Sequence, residues 1–156
     1  MNHQALRTIA TLGFLLMLTA VPAYSQAEQL RANIPFPFIV AEKTLPAGTY
    51  RVKRIRSDSA LVWVIQQRES RDTAVFITTP IRTTVTQEEA KLVFHRYGED
   101  YFLAQIWSVG GSTGRELAET QREHMARREL AKNAKKNKVA QGASKAETVV
   151  VTAGQQ

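Results

Sequence analysis

The sequence predicts a mainly β protein: a small antiparallel β-sandwich or barrel followed by one α-helix and a flexible basic tail. Three observations support this prediction. Residues 28–109 contain short runs of β-branched and aromatic residues separated by turn residues, the pattern of an all-β domain. Residues 115–132 are rich in good helix formers. Residues 115–156 contain no aromatic residue, so the core must come mainly from the chain before them.

Composition narrows the class of protein. The chain has 156 residues, of which 44% are hydrophobic, and this suits one globular domain with a small core. Its 21 Lys and Arg residues against 14 Asp and Glu residues give a formal net charge of +7. It contains no cysteine, which excludes disulfides, zinc–thiolate sites, iron–sulfur clusters and a cysteine nucleophile.

The N-terminal segment has the three parts of a secretory signal. Arg7 supplies positive charge, residues 9–21 are uncharged and mostly apolar, and small residues follow. A transmembrane helix needs about 20 apolar residues, and this run is shorter. We therefore predict a signal peptide over residues 1–27, cleaved after Ala27 or after Ser25. The mature chain is then exported, periplasmic or extracellular, and keeps no transmembrane anchor.

The β-rich region, residues 28–109, begins with short strands. Residues 30–34 read as one strand, and the prolines that flank Phe36 restrict the next piece to an edge or a loop. After a proline–glycine turn, Tyr50 and Val52 alternate with basic residues, which indicates a half-buried strand. The phase of this alternation inverts at residues 54–56, which indicates a β-bulge.

Two later runs, residues 61–65 and 74–77, are apolar on both faces. Such runs suit strands that are covered on both sides or that belong to a small closed barrel. Residues 91–107 then predict a hairpin around Gly98, with both faces apolar enough to belong to the core. Tyr97 and Tyr101 flank its tip, where they form either a cross-strand pair or a small contact surface for a ligand.

The C-terminal part is predicted as three pieces. Residues 110–114 are glycine-rich and read as a flexible joint. Thr113 and Glu116 have capping-box spacing, which predicts a helix over residues 115–132. Residues 133–156 then read as a flexible tail that ends in a short β-prone run.

No pattern of catalytic or metal-ligating residues stands out. His95 and His124 lie in different predicted elements, and their spacing matches no zinc site. The paired acids Glu88-Glu89 and Glu99-Asp100 fall in turns, where two carboxylates do not face each other across a cleft. Ser112 has glycines two residues away on each side, but no α/β alternation surrounds it as in a nucleophile elbow. The sequence therefore predicts no catalytic residue, no bound metal and no cofactor.

The excess positive charge is concentrated after Gly110, where nine Lys and Arg residues face five acidic ones. Such a basic run either keeps a solvated tail soluble or binds an anionic polymer. Export argues against nucleic acid and favours an anionic cell-envelope polymer or another envelope protein as the partner. The candidate polyanion contacts are Arg127, Arg128, Lys132, Lys135, Lys136 and Lys138.

Two phrases carry a resemblance to other proteins. Residues 32–50 read ANIPFPFIVAEKTLPAGTY and residues 91–103 read KLVFHRYGEDYFL. Together with the GREL stretch at residues 114–117, they resemble a group of small exported hypothetical proteins found largely in Acidobacteria. The resemblance covers about residues 28–130. It implies export, a β-rich core and a charged, alanine-rich tail, and it transfers no catalytic or binding residue.

These observations predict a non-enzymatic binding or structural module of the cell envelope. Two alternatives stay open. One is a small extracytoplasmic hydrolase, which a cluster of titratable side chains in a pocket would favour. The other is an assembly subunit that pairs with a partner through edge strands or through residues 149–151.

Overall fold

The computed structural model describes residues 29–56, 59–136 and 147–155. The predicted signal peptide and residues 137–146 of the predicted tail lie outside this part of the chain. The described residues form ten strands and one helix. In chain order these are β1 (Gln29–Ile34), β2 (Phe38–Val40), β3 (Lys43–Leu45), β4 (Gly48–Arg56), β5 (Ser59–Gln67), β6 (Thr73–Arg82), β7 (Ala90–Tyr97), β8 (Asp100–Trp107), β9 (Thr113–Leu117), α1 (Gln121–Lys136) and β10 (Glu147–Gln155).

Eight of the strands close an antiparallel barrel in the order β8–β7–β10–β1–β4–β5–β6–β9. The ring closes because β9 pairs with a strand on each side. Its Leu117 lies opposite Thr78 of β6, and its Glu116 lies opposite Gln105 of β8. The mainly β prediction is confirmed, and the choice between sandwich and barrel is decided in favour of the barrel. Closure gives each of these eight strands a neighbour on both sides.

The remaining strands, β2 and β3, form a short ribbon beside β8. β2 runs parallel to β8 with Ile39 opposite Phe102, along the part of β8 that β9 does not reach. The Pro-Phe-Pro segment links β1 to this ribbon as an irregular turn, in agreement with its prediction as an edge or loop. Phe36 packs edge-to-face on the core ring of Phe94, with centroids 5.3 Å apart.

Large side chains fill the interior of the barrel. Tyr50 and Val52 of β4 are fully buried, as the alternation predicts, and Trp63 of β5 is buried beside them. The phenol of Tyr50 donates a hydrogen bond to the Pro46 carbonyl at 2.6 Å, so this buried polar group is satisfied. The β4–β5 register shifts between Arg54 and Arg56, which confirms the predicted bulge.

The predicted glycine-rich joint over residues 110–114 ends too late, because Thr113 and Gly114 already belong to β9. The backbone of this strand pairs with two neighbours at once, and that long-range pairing overrides local helix propensity. Gly114 is required by packing, since an added Cβ would lie 2.6 Å from the Trp107 ring. The glycine therefore serves close approach rather than flexibility.

The helix begins at Gln121, six residues later than predicted. Thr120 caps it, because its hydroxyl accepts a hydrogen bond from the Glu123 backbone N–H at 3.1 Å. The N-cap residue is therefore Thr120 rather than Thr113. α1 lies against the outside of the barrel. In the described part of the chain, no helix has both the length and the hydropathy needed to span a bilayer.

The end of the predicted flexible tail is also different, because β10 lies between β1 and β7 and pairs with both. The side chains of Val149 and Val151 pack against the core, while Val150 points outward and is 54% exposed. This alternation is typical of a half-buried strand. The run at residues 149–151 pairs with β7, from Val149 opposite Phe94 to Val151 opposite Leu92, while β1 pairs with residues 153–155. Strand addition of this run to a partner stays a prediction.

The predicted hairpin is confirmed as β7 and β8. A register shift beside Val93 makes Ala104 an extra residue in β8, and a bulge of this kind reverses the faces that follow. Phe102 consequently points outward, away from the core residue Ile106. It packs instead with Ile39 and Tyr97 beneath the helix residues Ala126 and Leu130.

Candidate functional site

Basic and amide side chains line up across three neighbouring strands on the outer barrel surface. Arg31 of β1 lies opposite Arg51 of β4, which lies opposite Gln66 of β5. All three point outward because their neighbours along each strand point into the core. Together with the following turn they enclose a pocket of about 160 Å³, which we call the arginine pocket. Its lining consists of Arg31, Thr49, Tyr50, Arg51, Gln66, Gln67, Arg68 and Arg71.

The turn between β5 and β6 supplies the other two arginines of this pocket. It is held by hydrogen bonds: the Arg68 N–H donates to the Thr49 carbonyl at 3.0 Å, and the Gln67 N–H donates to the Asp72 carbonyl at 2.8 Å. The Ser70 hydroxyl donates to Asp72 Oδ2 at 2.7 Å and also contacts the Gln67 amide oxygen. These bonds fix the backbone from which Arg68 and Arg71 extend.

The charged residues that line the arginine pocket are all positive. Among the described residues that line it, four are arginines and none is acidic. Burial, with a smaller contribution from the nearby Asp72 carboxylate, raises the pKa of Tyr50 to about 12, so its phenol stays neutral at ordinary pH. The side-chain Nε of Arg51 is buried and has no hydrogen-bond partner among the described residues. The arrangement can therefore attract and bind an anion.

A second cluster, which we call the helix cleft, lies between α1 and the outer faces of β7, β8 and β9. His95 Nδ1 lies 2.9 Å from Glu123 Oε1, and the Tyr97 hydroxyl donates to the same oxygen at 3.4 Å. Glu123 is 5% exposed. The pKa of His95 is raised, mainly by its hydrogen bond to Glu123. Burial lowers this pKa, while the negative charges of Glu123, Glu116 and Glu119 raise it further. Burial, first, and then the Glu123 charge raise the pKa of Tyr97.

The structure does not bring the two predicted ligand-contact tyrosines together. Tyr97 points outward under the helix. Tyr101 belongs to the other face of the hairpin, where its ring stacks on Phe36 with ring centroids 3.9 Å apart. The guanidinium carbon of Arg96 lies over the Tyr101 ring, 5.3 Å from its centroid. They form neither a cross-strand pair nor a shared surface.

The predicted polyanion contacts are spread along α1. The guanidinium of Arg127 forms an ion pair with Glu119 at 3.3 Å, which neutralises part of its charge. Arg128 and Lys132 are exposed and four residues apart, on one face of the helix. Lys135 and Lys136 belong to the last turn of α1, and Lys138 lies outside the described residues.

Sequence reasoning missed the arginine pocket. It placed the basic residues that alternate with Tyr50 and Val52 on the solvent face of a half-buried strand, and it assigned no functional role to residues 66–72. Arg31 and Arg71 are forty residues apart, and only the β1–β4–β5 pairing places them around one pocket. The left-handed backbone of Arg71 is likewise a property that no sequence pattern of this chain indicated.

Comparison with known proteins leaves the site to be interpreted from its own geometry. No known protein family, no curated protein and no solved structure matches the chain. Within the described residues, no group of three or more His, Asp or Glu side chains is arranged to hold a metal ion.

Proposed function

We propose that this protein is an exported, non-enzymatic binding module of the cell envelope that recognises an anionic polymer. The single observation that supports this function is the arginine pocket, where four arginines and no acidic residue line a space of about 160 Å³. Guanidinium groups bind carboxylate and phosphate oxygens through paired, charge-assisted hydrogen bonds. The pocket replaces the helix as the primary contact that we propose, because α1 carries acidic residues among its basic ones.

The resemblance to small exported proteins and the predicted signal peptide provide the cellular context of this proposal. A polymer outside the cytoplasm presents many anionic groups in a row. One pocket then binds one group, while the exposed Arg128 and Lys132 of α1 add weaker, less specific attraction. Ionic contacts of this kind weaken with salt, since the Debye length falls from about 10 Å at 0.1 M to about 3 Å at 1 M.

The experiment measures binding of two labelled polymers, polyphosphate and polygalacturonate, to the mature protein at low and high salt. We expect salt-sensitive binding of at least one polymer. The double variant Arg51→Gln/Arg68→Gln should weaken it by about tenfold or more. The matched control Arg128→Gln/Lys132→Gln removes the same charge from the helix and should weaken it much less. If neither polymer binds, or if only the helix variant loses binding, the arginine pocket is not the recognition site.

A second candidate function, a small hydrolase, is favoured by one specific observation. In the helix cleft, the Glu123 carboxylate and His95 Nδ1 share a hydrogen bond, and no described residue forms a hydrogen bond with His95 Nε2. A carboxylate orients a catalytic histidine in this way in known hydrolases, with Nε2 acting as the general base. A panel of chromogenic acyl, phosphoryl and glycosyl esters tests it. Turnover that His95→Gln abolishes in a folded protein would establish the hydrolase and overturn the non-enzymatic proposal.

A further inference from the structure

Three energetically unfavourable features meet at the arginine pocket. Arg31 and Arg51 stand directly opposite each other on adjacent strands, and like charges in that position destabilise a sheet. Arg71 has φ of +63°, a left-handed conformation that is strained for residues with a side chain. The buried Nε of Arg51 lacks a hydrogen-bond acceptor among the described residues. A bound anion would supply an acceptor for the third, and the first and second place arginines at the pocket.

The directions from which the donors come distinguish between kinds of anion. Guanidinium groups extend from β1, from β4 and from two positions of the β5–β6 turn, and the Gln66 amide adds a donor from β5. A carboxylate is planar and presents two oxygens in one plane, which one or two guanidinium groups satisfy. A tetrahedral group presents oxygens in several directions, and a phosphoryl group carries up to two negative charges near neutral pH. Four cationic side chains around one pocket suit the second geometry.

We infer that the arginine pocket binds a tetrahedral oxyanion, namely a phosphoryl or sulfuryl group of its ligand. This inference rests on the proposed function and names the ligand group for the same pocket. Arg71 is then retained in a strained conformation because its guanidinium contacts the anion, as strained residues at binding sites often do.

The first experiment follows backbone amide resonances of the mature protein while inorganic phosphate, sulfate or sodium acetate is added. We expect phosphate and sulfate to shift the amides of residues 66–72, with acetate binding about tenfold more weakly or worse. Whichever of phosphate and sulfate binds more tightly identifies the ligand group as phosphoryl or sulfuryl. Equal affinity for acetate would overturn this inference while leaving a carboxylate polymer as the ligand of the proposed function. Polymer binding without any response to the small tetrahedral anions would also overturn it.

The second experiment uses Arg71→Gly, which removes the guanidinium and the backbone strain together. We expect this variant to melt at a higher temperature in the absence of anion and to lose about tenfold in phosphate affinity. Ala41→Gly is the matched control, because Ala41 also has positive φ, +51°, and lies outside the arginine pocket. The control should raise the melting temperature while leaving phosphate affinity unchanged. Unchanged phosphate affinity in Arg71→Gly would overturn the assignment.

Discussion

The contact between His95 and Glu123 joins the helix to the barrel through a titratable pair. Glu123 occupies the third position of α1 and is buried, and His95 is about one-third exposed on β7. Tyr97 adds a second hydrogen bond to the same carboxylate. The helix therefore packs on the barrel through a polar contact as well as through Ala126 and Leu130.

This pair predicts a pH dependence of stability. The pKa of His95 is raised in the folded state from an ordinary value of 6.5, mainly by its hydrogen bond to Glu123. A raised pKa means that the folded state binds the proton more tightly. The stabilisation is therefore complete below about pH 6.5 and disappears as the pH rises through the folded-state pKa.

Urea unfolding at about pH 5.5 and about pH 8.5 measures this effect against His95→Gln. We expect the free energy of unfolding of the wild-type protein to fall with pH by up to about 1 kcal/mol more than that of the variant, because solvent screens a partly exposed pair. Other titrating groups contribute equally to both proteins. Identical pH profiles would show that His95 is not coupled to folding.

At the scale of the element, β10 is the strand whose role differs most from its prediction. It completes the barrel between β1 and β7, and its pairing with β7 runs from Glu147 opposite Arg96 to Ala153 opposite Ala90. An exposed ion pair between Arg96 and Glu147 at 3.2 Å adds little stability by itself. The apolar face of the strand should contribute most.

Two single substitutions in β10 test this assignment. Val151→Ala removes two methyl groups that pack against the core and should destabilise the protein by about 1–2 kcal/mol. Val150→Ala changes an outward-pointing side chain that is 54% exposed and should stay within about 0.5 kcal/mol of wild type. Chemical denaturation of both variants gives the comparison. Equal, small effects would mean that Val151 does not pack against the core.

At the scale of the whole molecule, the closed barrel explains how a chain without cysteine forms a stable domain. Eight strands bury rings such as Trp63, Tyr50 and Phe94 in one interior, so apolar burial supplies the stability that many small exported domains obtain from disulfides. β1 begins at Gln29, so cleavage after Ala27 would leave one residue before the first strand.

Export itself remains a prediction, and mass spectrometry of the protein in its native host tests it. We expect material outside the cytoplasm with Glu28 or Gln26 as the first residue, because the small residues that precede them suit signal peptidase. A variant with Leu15→Arg and Leu16→Arg interrupts the apolar run and should stay unprocessed inside the cell. Export of that variant, or full-length material found only in the cytoplasm, would contradict the prediction.

Local sequence patterns determined much of the fold. The alternation around Tyr50 and Val52, the inverted phase at residues 54–56 and the glycine turn of the β7–β8 hairpin all depend on neighbouring residues, and each was predicted correctly. The helix was expected in the correct region, but its start was misplaced because residues 113–117 satisfy their backbone hydrogen bonds with β6 and β8. Pairing of that kind is invisible in the order of residues along one segment.

The sequence by itself determined that this protein is mainly β, free of disulfides, basic and provided with the features of an export signal, because composition and short-range periodicity report directly on burial and charge. Only the tertiary structure decided that the sheet closes into a barrel, that β10 completes it and that Ala104 turns Phe102 toward the helix. It also brought Arg31, Arg51, Arg68 and Arg71 around one pocket. The physical reason is strand pairing, which joins residues far apart in the chain and whose register is set by the whole barrel.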